Sequence, residues 1–133
     1  MMRTAVFFTS KFRTTQRTAE YIAKALDADL FDIKKGAPSA DGHDLVILGS
    51  GIYAGEVSRS MRNFVENNAE ALSGKRVALF VCCRSDGKKA EDQLSHVAEA
   101  MPPIYKSAYM SGRRKGELRI DTDSADEFIA SLR

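Results

Sequence analysis

Hydrophobic positions in this chain fall into two rhythms that take turns from one end to the other. Short, nearly continuous apolar runs alternate with longer stretches in which apolar residues recur every third or fourth position. The first rhythm is that of a strand covered on both faces, the second that of a helix with one buried stripe. Their alternation predicts βαβ units around a parallel sheet. Residues 4–9 read as the first strand, and a helix follows from Thr15 with Ala19, Ile22, Ala23 and Leu26 on one face. A second strand over 29–33 gives way to a polar loop through Gly36, Pro38 and Gly42, and a third strand spans 44–49. The second helix starts after Ser58, a residue suited to capping free amides, and buries Met61, Phe64, Val65 and Leu72. Residues 76–83 form a fourth strand. The third helix presents Ala90, Leu94, Val97, Ala98 and Met101 and stops at Pro102 and Pro103. Residues 104–111 predict a fifth, edge strand. The last helix covers 124–132, where Ser124 and Glu127 stand at capping-box spacing and Ala125, Phe128 and Leu132 share a face.

The expected fold is therefore α/β: a three-layer sandwich with a five-stranded parallel sheet of order 2-1-3-4-5. Ligands of such sheets bind beyond the carboxyl ends of the strands where the winding direction reverses, here strands one and three. Three loops reach that edge. The first, Thr9-Ser10-Lys11-Phe12-Arg13-Thr14-Thr15, combines hydroxyls with the unpaired amides of a helix start, and these together suit a phosphate dianion. Plain helix capping explains the same residues equally well. It contains no glycine, so neither a dinucleotide fingerprint nor a triphosphate-binding loop is present, and a monophosphate is the better match. The second loop, Gly49-Ser50-Gly51-Ile52-Tyr53-Ala54-Gly55, sets glycines that permit close approach of a flat ligand around an aromatic able to stack on it; the alternative is a flexible loop whose tyrosine packs on the sheet edge. The third, Cys82-Cys83-Arg84-Ser85-Asp86-Gly87, could offer amides to the polar rim of a ring, and ordinary turn chemistry accounts for Asp86 and Gly87 too.

Composition narrows the field. A length of 133 residues fits one domain spanning the whole chain, and 44 % hydrophobic with 29 % charged residues is the balance of a soluble globular protein. No apolar run is long enough to span a bilayer and no secretion signal opens the chain, so a cytoplasmic location is expected. Twenty basic against 18 acidic residues leave a net charge of +2, too balanced for a nucleic-acid surface; the basic run at 112–116 reads as a solvated loop. The adjacent Cys82 and Cys83 cannot staple distant segments or complete a metal set, and neither His43 nor His96 is placed as a base for Cys83.

The three loops, in this order on this rhythm, resemble the flavodoxin-like superfamily. Within it they are most similar to flavodoxin-domain proteins related to menaquinone-dependent protoporphyrinogen oxidase. The likeness rests on residues 9–15 followed by Ala19-Glu20-Tyr21-Ile22-Ala23, and on Leu48 through Gly55 with Phe64-Val65 after it. The resemblance implies a flavodoxin-like fold and one FMN. Its phosphate would be held by residues 10–15 and its isoalloxazine would lie between residues 50–55 and 82–87, with no catalytic acid, base, nucleophile or metal required. It further implies electron transfer or a small flavoprotein oxidoreductase, working with redox partner proteins or a quinone-like acceptor. Arg13 stands where the family's phosphate loop usually has glycine, which demands either a loop without a positive φ angle or strain. The oxidase branch also carries additional sequence around the last strand and helix, so the expectation here is a soluble carrier or small flavoprotein rather than a membrane-associated porphyrin oxidase.

Two other readings of the same fold are available. A phosphoacceptor receiver needs an acidic pair after strand one and an aspartate ending strand three, where this chain has Thr9-Ser10 and Gly49-Ser50. A cofactor-free binding or regulatory module, with Arg13 as the lesion, is the stronger rival. In the flavin-binding reading, Lys11, Arg13 and Arg17 favour the anionic reduced cofactor. Opposite charges about 4 Å apart attract by about 4 kcal/mol at intermediate dielectric before screening. The reduction potential is thus expected above that of acidic flavodoxins, and Arg13→Gln is expected to lower it; a redox titration in which Arg13→Gln leaves the potential unchanged or raised refutes this.

Overall fold

The computed structural model of the protein describes residues 3–9, 13–36, 39–53, 55–84, 87–99, 101–110 and 120–133. In chain order the elements are β1 (Thr4–Phe8), α1 (Arg13–Leu26), β2 (Asp29–Asp32), a 3-10 turn (Ile33–Lys35), β3 (Leu45–Tyr53), β4 (Glu56–Val57), α2 (Arg59–Asn67), α3 (Ala69–Leu72), β5 (Arg76–Cys82), α4 (Gly87–Glu99), β6 (Lys106–Met110) and α5 (Thr122–Leu132). Five strands pair in parallel in the order β2-β1-β3-β5-β6, and β4 is an antiparallel addition to the end of β3. The five parallel strands thus have the expected 2-1-3-4-5 order.

Strand side chains alternate between two cores. Ala5, Phe7, Val46, Leu48, Val77, Leu79 and Val81 face α2, α3 and α4, packing on Met61, Phe64, Val65, Leu72 and Val97. Val6, Phe8, Leu45, Ile47, Ala78 and Phe80 face α1 and α5, packing on Ala19, Ile22, Ala23, Phe128, Ile129 and Leu132. Both faces of the central strands are buried, which is why those strands read as unbroken apolar runs. Among the described residues, no helix is long and apolar enough to cross a membrane.

Several boundaries differ from expectation. Helix α1 starts at Arg13 rather than Thr15. Strand β2 ends at Asp32, whose carboxylate accepts the Lys34 amide at 3.0 Å and starts the 3-10 turn. The helix expected to run through Leu72 breaks at Asn68, which leaves helical geometry (φ −112°, ψ 16°) and donates both its backbone N–H, at 3.0 Å, and its side-chain amide, at 2.9 Å, to the Phe64 carbonyl. The last helix is capped by Asp121, not Ser124. Asp121 accepts the Ser124 amide at 3.1 Å and the Ser124 hydroxyl at 2.8 Å, so Ser124 sits inside the first turn. Strand β5 stops at Cys82, β6 spans Lys106–Met110, and position 111 lies outside the described residues.

The largest correction concerns the segment after Gly49, expected to be a glycine-rich loop. Strand β3 runs on to Tyr53, pairs with β5 as far as Gly51↔Cys82, and folds back through Gly55 so that Ile52 pairs with Val57 and Tyr53 with Glu56. The glycines serve packing. A Cβ on Gly49 would lie 2.1 Å from Cζ of Phe80, a fully buried ring packed edge-on against Phe128. A Cβ on Gly51 would lie 2.7 Å from the Tyr53 hydroxyl, so that ring folds back over the strand.

A cross-link holds the returning strand to the helix above it: His96 Nε2 of α4 lies 2.7 Å from Glu56 Oε1 of β4. The hydrogen bond and charge of Glu56, with a smaller contribution from Glu99, raise the His96 pKa above its ordinary 6.5 against a small desolvation effect. A histidine whose folded value is raised contributes stability that is complete below the unfolded value and disappears as pH climbs through the folded one.

Two outcomes are expected. Gly49→Ala forces the Phe80 ring out of place and lowers stability by about 1–3 kcal/mol in urea unfolding, and combining it with Phe80→Leu recovers part of the loss; an unchanged midpoint for Gly49→Ala contradicts the packing role. In urea unfolding from pH 6.5 upward, the wild type loses stability that Glu56→Gln never had, so their curves converge as pH rises; parallel curves contradict the ion pair.

Candidate functional site

The winding reverses between β1 and β3, and at their carboxyl ends the structure places a group of hydroxyls. Thr9 follows β1 and continues its ladder by donating its amide to the Gly49 carbonyl at 3.0 Å. Its hydroxyl lies 2.6 Å from that of Ser58 and donates to that of Ser50 at 3.4 Å. Ser50 donates to the Gly51 carbonyl at 2.8 Å and accepts the Ser58 amide at 3.1 Å, while the Ser58 hydroxyl accepts the Met61 amide at 3.2 Å and caps α2. Thr9 is 1 % and Ser50 0 % exposed. Both were read as cofactor contacts, yet both hydroxyls turn inward. They hold β1, β3 and the start of α2 together, and a ligand could use the backbone beside them. Ser58, read only as a cap, is the link between them; a cap three residues before Met61 was visible, but its contact with Thr9 is long-range.

The amino end of α1 lies at the same edge. The first amides of a helix have no acceptor within it, and α1 has no acidic residue in its first turn; Arg13, at its start, and Arg17, one turn on, are exposed. Thr14 is half-buried and Thr15 buried at this end. This donor set suits an anion with several oxygens. Arg13 carries no left-handed strain, because Asp27 is the sole non-glycine with positive φ (51°) among the described residues. Gly55 (φ +79°) and Gly87 (φ +60°) have nothing within 4 Å of where a Cβ would stand, so both leave open space beside a turn that only glycine adopts easily. Ile52 is half-buried against the helical core on the α2 side, and Tyr53 is half-buried over Gly51. Ser10, Lys11, Phe12, Ala54, Ser85 and Asp86 lie outside the described residues, as does the basic run 112–116.

Around the third loop, the Cys82 thiol faces the Thr18 hydroxyl at 3.8 Å and the buried Cys83 thiol faces the Met110 carbonyl at 3.9 Å, while Arg84 is exposed. Neither histidine approaches the thiols: His96 pairs with Glu56, and His43 Nε2 lies 2.9 Å from Asp29 Oδ2. Asp29 also meets Arg3 at 3.3 Å, and its pKa is lowered chiefly by the His43 hydrogen bond, with Arg3 adding charge. That cluster belongs to the amino ends of the strands, opposite the candidate site.

A family model described as a flavodoxin domain matches residues 5–121. An uncharacterized protein of Methanocaldococcus jannaschii is 33 % identical over 69 residues, covering 51 % of this chain and 45 % of that relative, so the chain spans less than half the relative's length. Among solved structures, a WrbA-like flavodoxin from Agrobacterium tumefaciens superposes with a TM-score of 0.73 at 19 % identity, covering 98 % of this chain and 94 % of that one. Oxidised flavodoxin 1 from Bacillus cereus gives 0.65 at 18 %, covering 98 % and 96 %. A flavoprotein in complex with FMN from Lactobacillus acidophilus gives 0.64 at 18 %, covering 96 % and 99 %. These structural likenesses speak for the fold, and the narrower likeness to the protoporphyrinogen oxidase branch rests on the loop motifs alone. With a domain model matched along most of its length and a sheet of this order beneath the match, the chain belongs to the flavodoxin domain family.

Proposed function

We propose that this protein binds FMN at the carboxyl edge of β1, β3 and β5 and serves as an electron-transfer protein or small oxidoreductase. The observation that carries the reading is the start of α1. Its first amides, which have no acceptor within the helix, with Thr14 and Thr15 beside them and no carboxylate in the first turn, meet the requirements of a phosphate dianion. Family membership and the FMN complex of the Lactobacillus acidophilus flavoprotein support the choice of ligand.

The residues present fit such a group. The amides of residues 13–15 would hold the phosphate, and Arg13 would supply balancing charge. The open turns at Gly55 and Gly87 would let backbone amides approach a flat ring, and the half-buried Tyr53 would offer an aromatic face. Ser50 and Thr9 act from beneath: their inward hydroxyls fix the strand ends that present this backbone. FMN supplies one- and two-electron redox chemistry when bound; the protein's part is to position it, tune its charge and limit its exposure. Arg13, standing in place of a glycine, is the feature that keeps a cofactor-free binding module as the second reading.

The purified protein is expected to be yellow, and FMN-free protein to quench FMN fluorescence with saturation. Thr15→Val is expected to weaken FMN about tenfold, the worth of one hydrogen bond to a charged group, while leaving riboflavin affinity unchanged because riboflavin has no phosphate. Colourless protein that ignores FMN overturns the proposal in favour of the cofactor-free module.

A further inference from the structure

We propose that the helix starts around this edge form a docking surface for an acidic redox protein. The inference rests on the FMN reading for the kind of partner, and on charge placement for the surface itself. Helices α1, α2 and α4 follow β1, the β3–β4 hairpin and β5, so all three begin at the carboxyl edge of the sheet. The helix dipole favours carboxylates in a first turn and disfavours cations. Here the first turns of all three lack any acidic residue. Within five residues of its start α1 carries Arg13 and Arg17 and α2 carries Arg59 and Arg62, with Arg84 just beyond β5, all of them exposed, whereas α4 follows Asp86 in sequence and mixes Lys88 and Lys89 with Glu91 and Asp92.

Helix α5 makes the contrast. It starts from β6, at the outer edge of the sheet, and it has Asp121 as its cap and Asp123 in its first turn. Arg13, Arg17, Arg59, Arg62 and Arg84 thus gather beside the central strands in a chain whose net charge is only +2. Among the described residues Lys88 is paired, with Asp92 at 3.7 Å, whereas Arg13, Arg17, Arg59, Arg62 and Arg84 have no carboxylate partner. A single cofactor phosphate at α1 accounts for one helix start and leaves Arg59 and Arg62 of α2, with Arg84, unanswered. Arginine outnumbers lysine here, and its planar fork pairs with carboxylates two hydrogen bonds at a time. A partner that exchanges electrons must bring its own centre close to this edge, which selects a protein with Asp and Glu around a redox centre over a nucleic acid or a lipid surface.

The test is calorimetric titration of the protein, with and without FMN, against an acidic plant-type [2Fe–2S] ferredoxin as probe. Basic cytochrome c, phosphatidylglycerol vesicles and a single-stranded DNA oligomer serve as comparisons. Ferredoxin is expected to bind best, with affinity falling at least about tenfold between roughly 20 and 200 mM salt as the charges are screened. Arg59→Glu with Arg62→Glu is expected to weaken ferredoxin about tenfold at low salt while holding or raising the urea midpoint, since carboxylates suit that helix end; a merely structural role would lower the midpoint instead. Ferredoxin binding that is no tighter than that of cytochrome c, insensitive to salt, or unmoved by the double variant overturns the surface, and so does tighter binding of vesicles or DNA. Salt-sensitive ferredoxin binding by protein that never takes up FMN upholds the surface and overturns the FMN reading, whereas FMN binding without the charge preference does the reverse.

Discussion

The contact between the Thr9 and Ser58 hydroxyls, at 2.6 Å, joins the end of β1 to the start of α2 at the place where the sheet changes its direction of winding. Around it the interior is almost wholly apolar, and buried hydroxyls in such surroundings are tolerated only when paired. Ser50 completes the pairing by donating to the Gly51 carbonyl and accepting the Ser58 amide, and Ser58 passes the constraint into α2 by capping it. The strand ends, the hairpin and the first turn of α2 are therefore positioned as a unit.

Much of the architecture could be read from the chain because double burial leaves a plain mark. Strands covered on both sides, such as residues 45–48 and 77–81, are apolar at every position, and the helices between them repeat at intervals that match one buried face. What escaped was decided by single side chains acting over distance. Asn68 leaves helical geometry where its side-chain amide donates to the Phe64 carbonyl and its side-chain oxygen accepts the Ala40 amide, and nothing near it in sequence announces the second contact. Asp121 rather than Ser124 starts α5 because the carboxylate takes both of the serine's donors. Local spacing offered either residue as the cap.

The candidate site was legible as a place in the fold and less so in detail. Strand order and the hydroxyl-rich start of α1 pointed to the carboxyl ends of β1 and β3, where the structure gathers Thr9, Ser50 and Ser58, since both follow from patterns a few residues long. The glycines misled: Gly49 and Gly51 look like punctuation, but each is small because an aromatic ring, Phe80 or Tyr53, occupies the space its side chain would need. Thr9 and Ser50 misled in the same way, for a hydroxyl at a strand end can turn outward to a ligand or inward to a neighbour. Which way it turns depends on a residue, Ser58, that lies forty-nine positions from Thr9.

The short ladder between β3 and β4 has a kinetic meaning. An unpaired loop at this edge would have to be ordered when a ligand arrives, at an entropic cost that grows with each residue fixed. Here Ile52 and Tyr53 are already zipped to Val57 and Glu56, and His96 clips the return strand to α4. The ladder is in place beforehand, so a ligand bound at the edge proposed for FMN would not have to wait for that segment to fold, and its departure would leave the segment's shape behind.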